Sequence, residues 1–497
     1  MSGASVNRVV IVGRDIALWL SAATLSRALA PSGVSVVAVE LPTRLTPAHV
    51  SAALPPLEAL HAKLKIDEGA LIRATGGSFS FGQNFVDTAQ RAPSFFHAWG
   101  SCGASIDGEQ FLPCWLRAKR QGLTLPLESF SPTAVAAKNG RMLLPDDQTV
   151  AFGRTDYGYH LPSLAYAGYL KALTASLSVA MHETRNVDVE RVGGNASAIV
   201  LDDGKRIEGD LFLDASGEDA LLIGGALGVA WESWRAHFGV DRVLTARAPT
   251  FTSVPPFAEI RADAQGWTAL HPSLAVTGIV RAFMSASGDD ESATQAASRA
   301  AGAPLVDIAI RSVDPGLRSS AWQGNCVAIG AAACALDPIH DADLQVLQLG
   351  LVHLLSLFPV SVRCDAERAE YNRLMRSHCA RIRDFQAAFY VLARFEGAFW
   401  SDARARALPA ELAHKVDTFR ARALIAPMED ETFSPDSWRQ LFVGLGMAPD
   451  SWGPTIDGIA PQRLQAQIRS ILDFITTKVR EQPTHQAYLD DLRGAGA

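Results

Sequence analysis

Several features are absent from this sequence of 497 residues. Its six cysteines (Cys102, Cys114, Cys326, Cys334, Cys364 and Cys379) form no C-x-x-C pair and show no metal-finger spacing. Buried, reduced thiols are therefore expected, and a disulfide or zinc scaffold is not. No apolar run reaches the roughly 18–20 residues that cross a bilayer. Basic residues gather into no long block, the net charge is −7, and the richest basic stretch, "LRAKRQG" from Leu116 to Gly122, is short. Neither nucleic acid nor a membrane is expected as a partner. The opening "MSGASVNRVVIVG" has no basic segment leading into an apolar one, so a secretory signal is not expected and a cytoplasmic location is. Internal repeats and low-complexity segments are also missing. The last absence is local. A dinucleotide turn needs G-x-G-x-x-G, and the corresponding six residues are Gly13, Arg14, Asp15, Ile16, Ala17 and Leu18, with one glycine of the three.

What is present describes a large globular α/β protein, with 48% hydrophobic residues and a mean hydropathy of +0.10. The pattern predicts a β-α-β unit at the start: a strand over Val9–Gly13, a helix over Ile16–Ala30, and a second buried strand over Val34–Glu40. Glu40 falls where a ribose-binding carboxylate belongs in a dinucleotide fold. A short helix, a Gly-Gly turn and a strand are expected within Ile66–Asp87, and a helix over Tyr159–Val179. A β-meander over Val187–Gly217 closes on the strand "LFLDASG". "NCVAIGAAACALDPIHDADLQVLQLGLVHLLSLFP", Asn325–Pro359, reads as a strand, a small-residue turn, a polar loop and an apolar helix, and the chain beyond Asp365 is mostly helical in pattern. Ala248–Phe257 is the best loop or linker candidate.

Three separated pieces, the N-terminal β-α-β unit, "DLFLDASG" and "NCVAIGAAACALDP", stand in the order in which FAD-dependent hydroxylase-type folds use them to line one flavin. Other segments are more specific. Trp19 follows the depleted glycine turn, and "ATGGSFSFGQNFVD", "YGYHLPSLAYAGYL", "GDLFLDASGEDALLIGGALGVAWESW" and "IRDFQAAFYVLARFEGAFW" follow in collinear order. Over residues 8–455 the chain resembles the flavin-dependent tryptophan halogenases. The resemblance implies an FAD-binding α/β core with a β-meander substrate region and a mostly helical C-terminal part. It implies a core over residues 1–360, with segments 6–45, 185–230 and 320–360 forming the nucleotide-binding module, and a helical region over 361–497. It also implies reduced flavin from a separate reductase, and chlorination or bromination of an indole-like arene.

At the matched positions this chain departs from the family. Ser80 stands where the resemblance places the lysine that passes activated halogen to the substrate, and a hydroxyl cannot hold halogen as an amine does. His340 stands for the glutamate. Asp341, Ala342 and Asp343 stand for the serine, threonine and glycine around the chloride cradle, where added carboxylates repel an anion. The W-x-W-x-I-P signature becomes "WTALHP", which keeps Trp267 and Pro272 and brings in Ala269 and His271. At the first turn, Asp15 and Leu18 put a charge and bulk where bare backbone is wanted, with Arg14 near enough to offset Asp15.

The favoured expectation is a halogenase-fold protein that has lost FAD binding and halogenation and acts as a binding protein or as the partner subunit of an active homologue. Two others stand beside it. One is an FAD-dependent halogenase or monooxygenase with adapted residues, holding the flavin through Gly13, Glu40, Asp214, Gly217 and Gly330. The other is a metal- or acid–base-dependent enzyme built on "HDAD", His340–Asp343, with His271, His340 and Asp341 for the acid–base work. Asp337, His340, Asp341 and Asp343 read as a solvated loop capping the next helix through Asp341 or Asp343, and no metal is expected. His160 reads as structural. No cofactor is expected on the first reading. The expected partners are a small aromatic ligand and a second subunit, identical or homologous.

Overall fold

The computed structural model describes residues 5–146, 154–361 and 363–494. The chain divides into two compact units, one formed by Met1–Gly76, Leu161–Arg235 and Val313–Arg381, the other by Gly77–His160, Ala236–Ser312 and Ile382–Ala497.

The first unit is built on a six-stranded sheet in the order Trp322–Gln323, Cys326–Ala328, Leu211–Ala215, Arg8–Gly13, Ser35–Glu40, Ala180–Glu183. All pairings are parallel except that of the short Trp322–Gln323 edge. Runs such as "VVIVG" and "LFLDA" are buried throughout, as strands of a parallel sheet covered on both faces must be. The three separated pieces of sequence are thereby brought side by side, with Val12 opposite Asp214 and Asp214 opposite Ala328. Their carboxyl ends lie together at the edge where such sheets take ligands. Gly13 is fixed by this arrangement, because an added Cβ would lie 2.5 Å from the Ala215 carbonyl oxygen. The expected meander forms from Val187–Val192, Asn195–Leu201 and Arg206–Glu208, all antiparallel, and leads into Leu211–Ala215.

The second unit carries a seven-stranded sheet in the order Val306–Ser312, Arg242–Ala248, Thr277–Phe283, Gly266–Pro272, Ala258–Asp263, Gly82–Asp87, Phe95–Ala98. Only the pair formed by Gly82–Asp87 and Ala258–Asp263 is parallel. Helices Ala398–Ala405, Ala410–Arg422, Pro435–Gly444, Pro461–Glu481 and His485–Gly494 supply the helical C-terminal part. Among the described residues no helix is long and apolar enough to cross a membrane.

One local expectation changes. Tyr159–Val179 is not one helix but a strand, Gly158–Pro162, followed by a helix, Ser163–Ala175. Pro162 is the cause, since it drives the preceding residue toward extended backbone and cannot continue a helix through itself. Ala248–Phe257 is, as expected, a loop; it joins Arg242–Ala248 to Ala258–Asp263 within one sheet.

Gly13→Ala is expected to lower stability by about 1–3 kcal/mol, the range for overpacking against backbone that cannot withdraw. Gly168→Ala, in the helix Ser163–Ala175 with open space around the new methyl group, should raise it by up to about 1 kcal/mol. Urea unfolding midpoints measure both.

Candidate functional site

At the carboxyl end of strand Arg8–Gly13 the backbone enters helix Asp15–Leu29 through Arg14 and Asp15. Asp15 has φ +58, the left-handed conformation that the second glycine of a dinucleotide turn would take without strain. The turn thus keeps a glycine-like backbone while bearing a carboxylate. That carboxylate accepts from the Thr43 hydroxyl at 2.5 Å and the Arg44 N–H at 3.3 Å. Arg14 does not pair with Asp15 as the sequence suggested. Its guanidinium holds Asp219 at 2.7 Å, and Arg44 holds the same carboxylate at 2.6 Å. Two cations and two anions are therefore interlaced across the mouth of the turn. Leu18 is fully buried, with its N–H on the Arg14 carbonyl, so its bulk is taken up by the core rather than projecting into the turn.

The other candidate cofactor residues lie along the same sheet edge. Glu40 ends strand Ser35–Glu40 and holds Lys171 at 2.6 Å, and the same ammonium holds Glu183 at 3.0 Å. Asp214 is fully buried and accepts four hydrogen bonds, from the Ser216 N–H and hydroxyl at 3.1 and 2.6 Å and from the Leu222 and Ile223 N–H groups at 2.8 Å each. Burial pushes its pKa up, against the pull of those bonds. The carboxylate is thus spent on folding its own loop, Ser216–Ile223, back against the strand. Gly217 and Gly330 both turn with positive φ just past strand ends.

Also in the first unit, the "DPIHDAD" loop is strained. His340 at φ +69 and Asp341 at φ +53 are successive non-glycine residues in left-handed backbone, at about 1–2 kcal/mol each. His340 is fully buried, and Asp337 accepts the Ile339 N–H at 3.0 Å. Neither Asp341 nor Asp343 caps the following helix. Its N-cap is Ala342, without a side-chain cap, and Asp343 sits inside the first turn. Among the described residues no three His, Cys, Asp or Glu side chains converge in a way that could hold a metal ion.

The remaining candidates belong to the second unit. Ser80 is buried at the end of strand Ser78–Ser80, its hydroxyl turned to the Gly82 carbonyl at 3.4 Å. His271 and His160 come together, with ring centroids 5.4 Å apart and planes at 75°. The Pro272 carbonyl anchors this corner, accepting from Ser78 Oγ at 2.7 Å and lying 3.0 Å from His160 Nδ1. Trp267 is core, its indole N–H on the Tyr390 hydroxyl at 3.0 Å.

One cluster escaped the sequence reading. Phe385 stacks on Phe433 at 3.8 Å, meets Trp438 edge-on at 4.8 Å, and lies 5.4 Å from His97, whose ring in turn meets Trp99 at 4.9 Å. Gln440 pins the backbone beside it, accepting the Ala98 N–H at 2.8 Å and donating to the Gly100 carbonyl at 2.9 Å. Burial pulls the His97 pKa down to about 3, so the ring is neutral. The residues come from three separated stretches, 97–100, 385 and 433–440, which only tertiary packing brings together.

The profile of the tryptophan halogenase family matches residues 8–461. Tryptophan 7-halogenase RebH of Lentzea aerocolonigenes is 25% identical over 92% of this chain and 92% of its own. Tryptophan 6-halogenase ThaL of Streptomyces albogriseolus is 26% identical over 89% of this chain and 90% of its own. Among solved structures, the flavin-dependent halogenase BrvH of a Brevundimonas species superposes with a TM-score of 0.92 at 28% identity, covering 98% of this chain and 99% of that one. A flavin-dependent halogenase of Xanthomonas campestris gives a TM-score of 0.92 at 31% identity and 98% coverage of both chains.

His97 sets a pH dependence. The unfolded ring protonates near 6.5, whereas the buried ring stays neutral down to about 3, so the unfolded state binds the extra proton between these values. Stability should be complete above about pH 6.5 and fall below it, by up to about 1.4 kcal/mol per pH unit from this residue. Urea unfolding over that range measures the slope, and His97→Gln should reduce it.

Proposed function

The chain belongs to the tryptophan halogenase family, and on that premise we propose that it is a halogenase-fold protein that no longer seats FAD or transfers halogen. It acts instead as a binding protein for a small aromatic ligand or as the partner subunit of an active homologue. The observation that carries this reading is the interlaced set Arg14, Asp15, Arg44 and Asp219 at the first turn. A dinucleotide bound in the ordinary way rests its diphosphate there, on bare N–H groups at a helix N-terminus. In this chain the diphosphate would meet two carboxylates, and the arginines that would receive it already hold Asp219. Like charges brought together in a partly desolvated site cost several kcal/mol. The residues present do not fit FAD in that pose. Ser80 and His340 support the same reading, since neither offers the amine or the carboxylate of the family site.

A second reading is favoured by one feature, the glycine-like backbone retained at Asp15. It is a reduced-FAD-dependent halogenase of tryptophan or indole type, or a monooxygenase, holding flavin by an adapted turn.

Calorimetric titration of the whole protein with oxidised and reduced FAD separates the two. No saturable binding in the micromolar range is expected, and Asp15→Gly combined with Asp219→Asn should raise FAD affinity by about tenfold or more. Leu18 is left in place, because truncating a buried leucine costs about 2–5 kcal/mol. Micromolar binding by the unaltered protein, with flavin absorption carried through gel filtration, would overturn the first reading. Halogenated tryptophan from bromide and a reduced-flavin supply would establish the second.

A further inference from the structure

The second unit holds a cleft of about 600 Å³ whose lining includes none of Ser80, His160, Trp267 and His271. That volume is in the range of sites that enclose a small organic molecule. Its walls include the aromatic side chains of Phe96, Trp115 and Trp452 and the aliphatic ones of Leu127, Val443 and Met447. They are held rather than loose. The Trp115 indole N–H is bonded to the Leu125 carbonyl at 3.1 Å, and neighbouring Phe95 lies flat on Phe85 at 4.6 Å with planes at 7°.

The rim has the opposite character. Lys119, Arg120 and Arg394 all line the cleft. Lys119 sits over the Trp115 ring at 5.0 Å, and Arg120 lies over the Trp452 ring at 4.1 Å and donates to the Asp450 carbonyl. Arg394 donates to the Gly444 carbonyl at 2.7 Å. Among the described residues none of the three is ion-paired to a carboxylate, although most arginines of this acidic chain are. The one acid lining the cleft, Glu128, is already neutralised by Lys138 and accepts the Phe96 N–H at 2.5 Å. A concave apolar surface ringed by uncompensated cations focuses positive potential inward. Planar guanidinium groups suit a carboxylate, which they can bind through two parallel hydrogen bonds.

We propose that this cleft binds an aromatic carboxylate, its ring against Trp115, Phe96 and Met447 and its acid group at the Lys119, Arg120 and Arg394 rim. The site is independent of the flavin question, since every residue it uses lies in the second unit and the interlaced turn lies in the first.

The test is calorimetry on the whole protein with naphthoate, and with naphthamide as its uncharged twin. Naphthoate should bind at one site per chain, and naphthamide at least about tenfold more weakly. The exposed pair Lys119→Glu and Arg120→Glu should weaken naphthoate by at least about tenfold while the melting curve stays cooperative. Val443→Trp, which fills the cleft, should abolish binding, and Arg206→Glu, in the meander of the first unit, should leave it unchanged. If Val443→Trp does not fold, the rim pair decides. No saturable heat, equal affinity for the amide, or full affinity in the rim variant would overturn the proposal. So would binding of an acidic aromatic peptide without binding of naphthoate. Because FAD titration reads a different set of residues, failure here and failure of the flavin reading are separately visible.

Discussion

The nucleotide module depends on one close approach, that of the Gly13 backbone to the Ala215 carbonyl. Any side chain at residue 13 would force the first strand away from Leu211–Ala215, and with it the register that sets Val12 against Asp214 and Asp214 against Ala328. Everything at that sheet edge takes its place from this contact: the entry into helix Asp15–Leu29, the loop that Asp214 folds back, and the turn at Gly330. Glycine survives at 13 because the sheet needs it. The two other glycine positions of the motif serve a ligand and helix–strand packing, and there the chain carries Asp15 and Leu18.

Much of the fold was legible in the sequence, for an identifiable reason. Buried parallel strands are written as unbroken β-branched runs, so "VVIVG", "VSVVAVE" and "LFLDASG" announce themselves, and their collinear order with the family motifs did the rest. Local chemistry was less legible. Adjacency suggested that Arg14 would offset Asp15, yet Asp219, some two hundred residues away, is its partner. Bulk at Leu18 suggested obstruction, yet the core absorbs it. Tyr159–Val179 reads as one helix, and Pro162 sets its start later, with strand before it.

The cleft in the second unit shows the same limit from the other side. "LRAKRQG" stood out in the sequence as the richest basic stretch and was too short to mean nucleic acid. Its significance lies in what it is set against. Lys119 lies over Trp115 on its own helix and Arg120 over Trp452, more than three hundred residues on, in a cleft that Phe96 also lines. A charge is informative when its surroundings fail to cancel it, and cancellation is a property of three-dimensional neighbours.

Asp219, clasped by Arg14 and Arg44, amounts to a tethered anion standing in for a soluble one. A tethered group competes at an effective concentration in the millimolar range or above without ever diffusing away. On the reading proposed above, a phosphate compound reaching this turn would have to outcompete it, and its apparent affinity would shrink by the fraction of time the arginines are disengaged. On that same reading, such an arrangement would disfavour phosphates as a class, whatever base or ring they carry.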